Sequence, residues 1–367
     1  MAAAMSNPTV LRIALPVPLR RLFDYLPPVD IPADTLQPGL RVSVPFGRQQ
    51  LTGVLVELAD HSHFPASKLK RALHILDSEP PLTPVLFDLA QWAASYYQYP
   101  LGEVLSALLP HTLREGGAQS IRHERHWRAV DTEGSIGLRT GSKQLALYQW
   151  LQCESASRDS ILAAGYSSAV LKSLTDKSLL EVFVPDPVAF DSSDLLTESP
   201  LALNEEQAVA VDGVVLGKFS ATLLEGVTGS GKTEVYLQLI HKVLQRGEQA
   251  LVLVPEIGLT PQTVARFQRR FRCPVAVLHS GLADGERFAA WRRASRGEVG
   301  IVIGTRSALF TPPTRPGIII VDEEHDSSFK QQEGSRYHGR DLAIMRAQRQ
   351  QIPIVLGSAT PSLETLH

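Results

Sequence analysis

Gly226-Val227-Thr228-Gly229-Ser230-Gly231-Lys232-Thr233 follows the apolar run Ala221 to Leu224 and precedes an amphipathic segment from Glu234 to Arg246. Glycines spaced in this way ahead of Lys-Thr, between a strand and a helix, are typical of a phosphate-binding loop. The backbone N–H groups of such a loop and the positive end of the helix dipole cradle phosphates. We therefore expect this loop to bind ATP, with Lys232 at the β- and γ-phosphates and the Thr233 hydroxyl on Mg²⁺.

A second group of polar residues ends another apolar run. Residues 318–321 are Ile-Ile-Ile-Val, and Asp322-Glu323-Glu324-His325 follows them directly. Because ligands of an open α/β sheet bind at the carboxyl ends of its strands, these acids can face the phosphates. Asp322 suits the Mg²⁺ shell, and Glu323 would polarise the attacking water, since phosphoryl transfer depends on positioning and charge neutralisation.

The C-terminal half of the chain alternates apolar runs with helical patterns. Helices are expected from Glu234 to Arg246, where Gly247 ends the pattern, and from Pro261 to Arg272. The runs that predict strands buried on both faces are 221–224, 251–254, 275–278, 301–303, 318–321 and 354–356. This order predicts βαβ repeats around a mainly parallel sheet. We expect residues 201–367 to form one doubly wound α/β lobe of the RecA-like, phosphate-loop class.

The N-terminal part has a different character. Short β-like runs punctuated by proline and glycine predict a small β-rich domain, 1–112, closed by a helix from Pro84 to Tyr99. Three short helical patterns followed by a strand predict a winged-helix domain, 113–184, with a helical spacer as the alternative. Residues 185–200 contain prolines, serines and aspartates, and this composition is typical of a linker.

Composition restricts the class of protein. The 367 residues are 44% hydrophobic and 20% charged, which is ordinary for a globular multidomain chain. No apolar run reaches the length of a membrane span and no secretory signal is evident, so we expect a cytoplasmic location without membrane association. Only Cys153 and Cys273 are present, which excludes a disulfide framework and an all-cysteine zinc site in this chain. With a formal charge of −2, nucleic-acid binding would have to come from local basic patches.

Short sequence blocks resemble the DEAD/DEAH-type helicases of superfamily 2. Asp322-Glu-Glu-His325 is similar to their DEAH box. Asn204-Glu-Glu-Gln207 is similar to the Q motif, and the resemblance implies that Gln207 recognises adenine. Pro255-Glu256 lies where motif Ia is expected. Each block alone could be a turn or a helix cap, but their order and spacing together make an accidental match improbable.

Two further blocks extend this resemblance. Gly304-Thr305-Arg306-Ser307 is similar to a motif that contacts DNA, which implies that Thr305 and Arg306 bind DNA. Gly357-Ser358-Ala-Thr360 is similar to the motif that couples ATP hydrolysis to strand movement. The resemblance therefore implies coupling roles for His325, Ser358 and Thr360.

The N-terminal residues narrow the resemblance to the bacterial primosomal replication-restart helicases. Ala14-Leu-Pro-Val-Pro18, Phe23-Asp-Tyr25, Val44-Pro-Phe-Gly47 and Leu76-Asp-Ser-Glu-Pro80 are similar to that family's N-terminal 3′-end-binding domain. By matching positions, the pocket residues would be Phe23, Asp24, Tyr25, Gly47 and Lys70. A carboxylate can accept a hydrogen bond from a terminal 3′-OH, rings can stack on a base and a lysine can meet phosphate. The alternative is that Phe23 and Tyr25 are core residues and that Asp24 caps a turn.

Residues 328–338 resemble the aromatic-rich loop of the same family, which is thought to link DNA contact to ATP hydrolysis. The candidate DNA-binding residues there are Phe329, Lys330, Arg336, Tyr337 and His338. Aromatic rings and cations interleaved on a glycine-containing loop suit sequence-independent binding of single strands. An ordinary surface loop is the alternative.

The resemblance implies an ATP-dependent 3′-to-5′ DNA helicase of replication restart, which recognises stalled forks and initiates primosome assembly. Its implied partners are forked and single-stranded DNA, single-stranded DNA-binding protein and primosome proteins. The alternative is a fork-DNA-binding and loading module whose ATP site is regulatory or inactive. A small-molecule kinase is disfavoured, because no acceptor-binding segment is evident and the helicase blocks would go unexplained.

The sequence departs from the family pattern in two respects. The family has a second motor lobe and a cysteine-rich zinc module after the last motif found here, whereas this sequence stops at His367. The zinc ligands are absent from this sequence, so zinc is not assigned to it. In helicases, arginines from the second lobe complete the catalytic site. We therefore expect a fragment of a longer helicase, with weak ATPase activity and no processive unwinding by itself.

Overall fold

The computed structural model describes residues 10–29, 31–32, 35–118, 126–130, 138–139, 141–153, 155–183, 190 and 194–366. These residues form two compact units. One unit combines the residues up to 118 with those from 190 onwards, and the other consists of the described residues between 126 and 183. No helix in the described parts of the chain is both long and apolar enough to cross a membrane.

The first unit begins with an antiparallel sheet. Its strands are β1 (Val10–Ala14), β2 (Phe23–Tyr25), β3 (Arg41–Phe46), β4 (Gln49–Ala59) and β5 (His74–Ile75). They are arranged in the order β2-β1-β4-β3-β5. Buried aliphatic side chains from neighbouring strands, among them Leu11, Ile13, Val42 and Leu55, form the core of this sheet. The predicted β-rich N-terminal region is confirmed.

Three helices follow the sheet: α1 (Pro84–Tyr96), α2 (Leu101–Leu108) and α3 (His111–Arg114). The Thr83 side chain caps α1 by accepting a hydrogen bond from Leu86 N, and Pro84 occupies the first turn, where a missing N–H is tolerated. The predicted helix extended to Tyr99, but α1 ends at Tyr96 because Gln98 adopts a left-handed backbone with φ of 55°. This turn directs the chain into α2.

A buried ion pair joins the sheet to the helices. Arg41 and Asp77 have no exposed side-chain surface, and Arg41 Nη2 lies 2.6 Å from Asp77 Oδ1. A second hydrogen bond runs from Arg41 Nε to Asp77 Oδ2 at 2.9 Å. Arg41 Nη1 donates to the carbonyl of Leu113 in α3. One guanidinium therefore ties β3, the segment after β5 and α3 together.

The second unit contains α4 (Lys143–Cys153), α5 (Arg158–Ala163) and α6 (Ser168–Asp176). Its strands are β6 (His126–Ala129), β7 (Ala156–Ser157) and β8 (Leu180–Phe183), which form an antiparallel sheet in the order β7-β6-β8. The predicted strand Leu180 to Val184 ends at Phe183 within the described residues, and part of the predicted linker 185–200 lies outside them. Three helices with a small antiparallel sheet are the elements that a winged-helix domain requires.

The C-terminal lobe of the first unit is a parallel sheet flanked by helices. Its strands are β9 (Ser220–Glu225), β10 (Gln249–Leu253), β11 (Val275–Leu278), β12 (Ile301–Gly304), β13 (Pro316–Val321) and β14 (Pro353–Ser358). Its helices are α7 (Glu205–Gly213), α8 (Lys232–Gln245), α9 (Pro261–Arg270), α10 (Asp284–Ser295), α11 (Gly339–Gln350) and α12 (Leu363–Leu366). The strand order is β11-β12-β10-β13-β14-β9, and all five pairs are parallel. The predicted doubly wound lobe is confirmed.

The N-terminal helices pack directly on this lobe. Arg349 on α11 donates from Nε to Asp88 Oδ2 on α1 and places its guanidinium 5.5 Å from the centre of the Trp92 ring. The Tyr97 hydroxyl accepts a hydrogen bond from the His338 backbone N–H at 3.2 Å. Leu89 and Ala93 of α1 belong to the same buried apolar cluster as Leu342 of α11. The antiparallel sheet and the lobe are thus held together through α1.

We predict that Asp77→Ala lowers the free energy of unfolding by about 3–5 kcal/mol, because it leaves the Arg41 charge buried without a partner. Glu57→Ala removes one of two acidic partners of the partly exposed Arg12, the other being Asp24, and should cost no more than about 1 kcal/mol. Urea denaturation followed by circular dichroism measures both values. Equal costs for the two variants would contradict the role given to the Arg41–Asp77 pair.

Candidate functional site

Three strand ends meet at the carboxyl edge of the parallel sheet. The phosphate-loop sequence follows β9, Asp322 follows β13, and Gly357 and Ser358 end β14, which lies between the other two strands. The Gly226 N–H donates to the Ser358 carbonyl at 3.0 Å, and the Glu324 N–H donates to the Gly357 carbonyl at 2.9 Å. Backbone hydrogen bonds therefore fix the three segments relative to one another.

The loop from Gly226 to Thr233 has the geometry of an anion cradle. Gly229 and Gly231 have positive φ values of 85° and 87°, in the region that favours glycine. Gly231 is the N-cap of α8, so the unpaired N–H groups of the first helical turn open toward the loop. Val227, Thr228 and Ser230 are exposed. Such a loop at a helix N-terminus can take a triphosphate without rearrangement of the sheet.

Lys232 lies across this loop. Its Nζ donates to the Gly226 carbonyl at 2.7 Å and is 3.5 Å from Glu323 Oε1. Only 9% of the Lys232 side chain is exposed, so its charge is held inside the cradle. Thr233 is the second residue of α8 and is half-buried. The ammonium group is therefore already at the place where phosphate oxygens would enter.

Asp322 is held by a tyrosine that the sequence motifs did not indicate. The buried Tyr236 donates its hydroxyl to Asp322 Oδ1 at 2.9 Å. Burial raises the pKa of Asp322, and the negative charge of Glu323 raises it further, while the Tyr236 hydrogen bond and the charge of Lys232 lower it. Burial also raises the pKa of Tyr236, so the phenol stays a donor. The available signal was the spacing, since Lys232 and Tyr236 are four residues apart on one helix face.

Gly357 makes room for this pair. A Cβ built at Gly357 would overlap the Tyr236 hydroxyl and would lie 3.5 Å from Asp322 Oδ1. Its backbone φ is not in the left-handed region, so the glycine is needed for space and not for conformation. The glycine of the Gly-Ser-Ala-Thr block thus allows Tyr236 to reach Asp322.

The candidate coupling residues lie together. His325 Nδ1 is 2.6 Å from Ser358 Oγ, and the Thr360 N–H donates to the same oxygen at 3.1 Å. His325 Nδ1 is also 3.7 Å from Glu323 Oε2. Glu323 has a left-handed backbone with φ of 46°, an uncommon conformation for a side chain with a Cβ, and 35% of its side chain is exposed. The carboxylate of Glu323 thus lies between Lys232 and His325.

Glu324 anchors the acidic segment, residues 322–325, through hydrogen bonds made by its buried carboxylate. Its fully buried carboxylate accepts hydrogen bonds from the Ser362 N–H at 2.9 Å, the Thr365 hydroxyl at 2.7 Å and Arg340 Nη1 at 3.1 Å. Burial by itself would raise the pKa of Glu324, but these hydrogen bonds and the Arg340 charge outweigh it and lower the pKa. The sequence motifs gave Glu324 no role, and its structural anchoring had no sequence signal.

Gln207 contacts the loop itself. Asn204 and Gln207 form a capping box at the start of α7, and Gln207 Nε2 donates to the Ser230 carbonyl at 2.9 Å. A Cβ at Gly231 would overlap this Gln207 amide. The Gln207 side chain therefore contacts the backbone of the phosphate loop directly. Recognition of adenine by Gln207 stays a prediction.

The two groups of residues predicted to bind DNA in the lobe are adjacent. Thr305 is buried, and Arg306 Nη1 donates to the Ser328 carbonyl at 2.6 Å. Residues 330–338 turn back on themselves, since Lys330 pairs with His338 and the Gln331 N–H donates to the Tyr337 carbonyl at 2.8 Å. Arg306 therefore fixes the base of this turn.

The side chains of this turn differ in their exposure. Lys330 and Arg336 are exposed, so their charges can meet a nucleic-acid backbone. The Phe329 ring is fully buried, so it could stack on a base only after a rearrangement. Tyr337 packs edge-on against Phe310 at 5.3 Å, and burial raises its pKa. Burial lowers the pKa of His338, while the nearby Asp341 opposes that effect.

The candidate 3′-end residues are placed around β2. Asp24 Oδ2 accepts a hydrogen bond from the Ser62 hydroxyl at 2.5 Å, and 12% of the Asp24 side chain is exposed. The half-buried Phe23 ring meets Phe46 edge-on at 5.4 Å. Gly47 has a positive φ of 60° and open space above its Cα, and Lys70 is exposed.

Tyr25 is the member of this set with least access to solvent. It is 5% exposed, and its hydroxyl donates to the Pro45 carbonyl at 3.1 Å. This position agrees with the alternative that Tyr25 is a core residue. The set therefore offers Asp24, the Phe23 ring and the Lys70 charge for contact with a ligand.

Two known protein families match the two parts of the first unit, which are the N-terminal sheet with its helices and the C-terminal lobe. Residues 12–110 match the 3′DNA-binding domain (3′BD) family of PriA, and residues 204–367 match the DEAD/DEAH box helicase family. The phosphate-loop site lies within the second match, and the candidate 3′-end residues lie within the first. The predicted helicase lobe and 3′-end-binding domain are thereby confirmed at the level of family.

Relatives with assigned names cover nearly the whole chain. The replication restart protein PriA of Haemophilus influenzae is 45% identical over 374 residues, which cover 98% of this chain and 50% of that protein. The protein of the same name from Bacillus subtilis is 34% identical over 421 residues, covering 94% of this chain and 52% of that protein. This chain thus spans about half the length of the curated relatives it matches.

A solved structure of RecG bound to a three-way DNA junction matches less closely. It has 22% sequence identity and a TM-score of 0.33, and the match covers 46% of this chain and 22% of that one. This likeness is too weak to support an inference.

We predict that Gly357→Ala and Tyr236→Phe are coupled in stability. Gly357→Ala alone should lower the free energy of unfolding by about 1–3 kcal/mol, because the new Cβ overlaps the Tyr236 hydroxyl. When Tyr236→Phe is also present, the combined loss should be about 1 kcal/mol less than the sum of the single losses, because the overlapping oxygen is gone. Chemical denaturation of the four proteins of this cycle measures the coupling.

Gly285→Ala is the matched control for this cycle, because a Cβ at Gly285 on α10 meets no atom within 4 Å. It should be neutral or stabilising. Strict additivity of the Gly357 and Tyr236 effects would contradict the packing described.

Proposed function

The chain belongs to the family of the replication restart protein PriA, and from that premise we propose that it is the ATP-binding and 3′-end-binding part of a DNA helicase of replication restart. The observation that carries the proposal is the convergence of three segments at one sheet edge. Lys232 lies 3.5 Å from Glu323, Tyr236 is hydrogen-bonded to Asp322, and Ser358 joins the phosphate loop to His325. The same chain carries the domain that matches the 3′DNA-binding family.

In the proposed ATPase reaction, the N–H groups of Thr228 to Thr233 bind the β- and γ-phosphates. Lys232 moves from the Gly226 carbonyl to a phosphate oxygen and neutralises charge there. Glu323 then loses its interaction with the ammonium group and becomes free to accept a proton from the attacking water. The exposure of Glu323 and its position beside Lys232 support this role.

Thr233 and Asp322 are the residues proposed to hold Mg²⁺. They offer one hydroxyl and one carboxylate, which suits an ion that keeps water and phosphate oxygens in its shell. When bound, Mg²⁺ supplies electrophilic stabilisation of the phosphates. Among the described residues, no group of three or more His, Cys, Asp or Glu side chains is placed to hold a metal ion, so a site built from protein ligands alone is not proposed.

We propose that DNA binds at two places on the chain. A terminal 3′-OH donates to Asp24, with Phe23 against the base and Lys70 and the turn at Gly47 near the backbone. Arg336 and Lys330 bind single-stranded DNA on the turn after the acidic segment, with Thr305, Arg306, Phe329, Tyr337 and His338 supporting that turn. Ser358 contacts both His325 and the Thr360 N–H, and His325 lies 3.7 Å from Glu323, so a movement of the segment after β14 would change the surroundings of Glu323.

The remaining parts of the proposal follow from the family. They are 3′-to-5′ polarity, recognition of stalled forks, initiation of primosome assembly, a cytoplasmic location and partnership with single-stranded DNA-binding protein and primosome proteins. Turnover by the 367-residue chain alone is expected to be slow, because arginines from a second lobe complete the site in helicases. The competing proposal is a fork-binding and loading module whose ATP site is regulatory or inactive; unmeasurable DNA-stimulated turnover with intact DNA binding would favour it.

We predict that DNA with a free 3′ end increases ATP hydrolysis by the purified chain and that Lys232→Ala abolishes this activity, since no other cation lies in the loop to neutralise the phosphates. Lys242→Ala is the matched control, because Lys242 is an exposed lysine on the same helix that pairs with Asp212. Phosphate release with and without forked DNA measures both effects. Residual DNA-stimulated turnover in Lys232→Ala would contradict the proposed site.

We predict that Asp24→Ala weakens binding of an oligonucleotide with a 3′-OH by about tenfold or more, because a charge-assisted hydrogen bond is lost. Binding of the same oligonucleotide with a 3′-phosphate should not weaken, since that end cannot donate to Asp24. Fluorescence anisotropy measures both affinities, with Asp60→Ala as an exposed acidic control. Equal losses for the two ends would show that Asp24 does not read the hydroxyl.

A further inference from the structure

A groove lies beside the candidate 3′-end residues, between the segment before β2 and the turn that joins α1 to α2. Its volume is about 280 Å³, and it is open to solvent along one side. Apolar atoms form most of its wall surface, and the polar and charged groups in the wall come from a few side chains. The residues that decide its chemistry are Arg20, Arg21, Leu22, Ser95, Gln98 and Tyr99.

The groove is cationic although the chain as a whole is not. Two arginines line it, and none of the described residues in its lining is acidic. The chain carries a formal charge of −2, so this concentration of positive charge is local. A cationic groove of this kind favours an anionic ligand, and guanidinium groups match phosphate oxygens in particular.

Arg20 is held in place by the turn between α1 and α2. Its Nη1 donates to Gln98 Oε1 at 2.9 Å, and Gln98 Nε2 donates to the Ser95 carbonyl at 2.6 Å. Gln98 adopts a left-handed backbone with φ of 55°, which is uncommon for a residue other than glycine. The turn that ends α1 thus places the Gln98 side-chain amide oxygen beside Arg20. Such pre-organisation lowers the entropy lost when a ligand binds.

Arg21 connects the groove to the candidate 3′-end residues. Its guanidinium carbon lies 4.8 Å from the centre of the Phe23 ring, and Phe23 precedes Asp24 on β2. At the other end, Tyr99 lies two residues after Tyr97, whose hydroxyl accepts a hydrogen bond from the His338 N–H in the turn that carries Arg336. The groove therefore lies between Phe23 and the turn that carries Arg336.

We propose that this groove binds the sugar–phosphate backbone of single-stranded DNA, at the nucleotides that precede a 3′-terminal nucleotide held at Asp24. Arg20 and Arg21 bind phosphates, and Tyr99 packs against a base or sugar. Two guanidinium groups beside an aromatic ring suit a single strand, whose phosphates and unpaired bases are both accessible. This inference rests on the DNA binding proposed above, and it adds a path between the two DNA-contacting places.

The test compares oligonucleotides of two lengths on the purified 367-residue chain. Single strands of two and of ten nucleotides, each with a free 3′-OH and a 5′ fluorophore, are titrated by fluorescence anisotropy over a series of salt concentrations. The variant is Arg20→Gln, because Arg20 contacts the groove and not the residues around Asp24. Arg293→Gln is the control, since Arg293 is an exposed arginine on α10 that pairs with Glu298.

Arg20→Gln is expected to weaken binding of the ten-nucleotide strand by about five- to tenfold and to reduce the slope of log affinity against log salt by about 0.7, the value for one phosphate contact on a single strand. The dinucleotide should lose less than about twofold. Arg21→Gln should weaken the longer strand in the same direction, and Arg293→Gln should change neither.

Two results would overturn the inference while leaving the proposed function intact. One is unchanged affinity and salt slope for the ten-nucleotide strand in Arg20→Gln, and the other is an equal loss of affinity for the dinucleotide and the ten-nucleotide strand. If the wild-type chain bound neither strand, the proposed function itself would fail.

Discussion

The site depends on the parallel alignment of three neighbouring strands. β14 lies between β9 and β13, so the ends of the three strands lie at one edge and are joined by backbone hydrogen bonds, from Gly226 to Ser358 and from Glu324 to Gly357. The placement of the phosphate loop, Asp322 and Ser358 relative to one another depends on this alignment. If the register between β9 and β14 shifted by one residue, the Gly226 N–H would no longer meet the Ser358 carbonyl. Ser358 would then no longer link the phosphate loop to His325.

Buried polar groups hold the acids that follow β13 in distinct environments. Glu324 is anchored by Arg340, Ser362 and Thr365, and Asp322 is anchored by Tyr236. Glu323, between them in sequence, has no such anchor and stays partly exposed beside Lys232. Arg340 is the second residue of α11, which begins directly after the turn at 330–338, and the Tyr97 hydroxyl of the N-terminal part contacts His338 at the base of the same turn. A continuous series of contacts therefore runs from α1 to the acidic segment.

The sequence was sufficient for the parallel sheet, the phosphate loop and the acidic strand end, because these depend on local apolar runs and on fixed spacing. It was not sufficient for features that depend on contacts between distant residues. Tyr236, on α8, was missed because its partner Asp322 follows β13, 86 residues further along the chain. The Gln207 contact with Ser230 was missed because the two residues are 23 positions apart. The alternative for Tyr25 as a core residue could be weighed only once its burial was known. The packing of α1 on α11 had no sequence signal, since Arg349 and Asp88 are ordinary surface residue types.

The most direct test of the account is a crystal structure of the chain with a non-hydrolysable ATP analogue and Mg²⁺. The account predicts phosphates on the N–H groups of residues 228–233, Lys232 Nζ moved from the Gly226 carbonyl to a phosphate oxygen, and the metal beside Thr233 and Asp322 with the Tyr236 hydrogen bond retained. A nucleotide bound elsewhere, or a bound nucleotide with Lys232 still on Gly226, would contradict it.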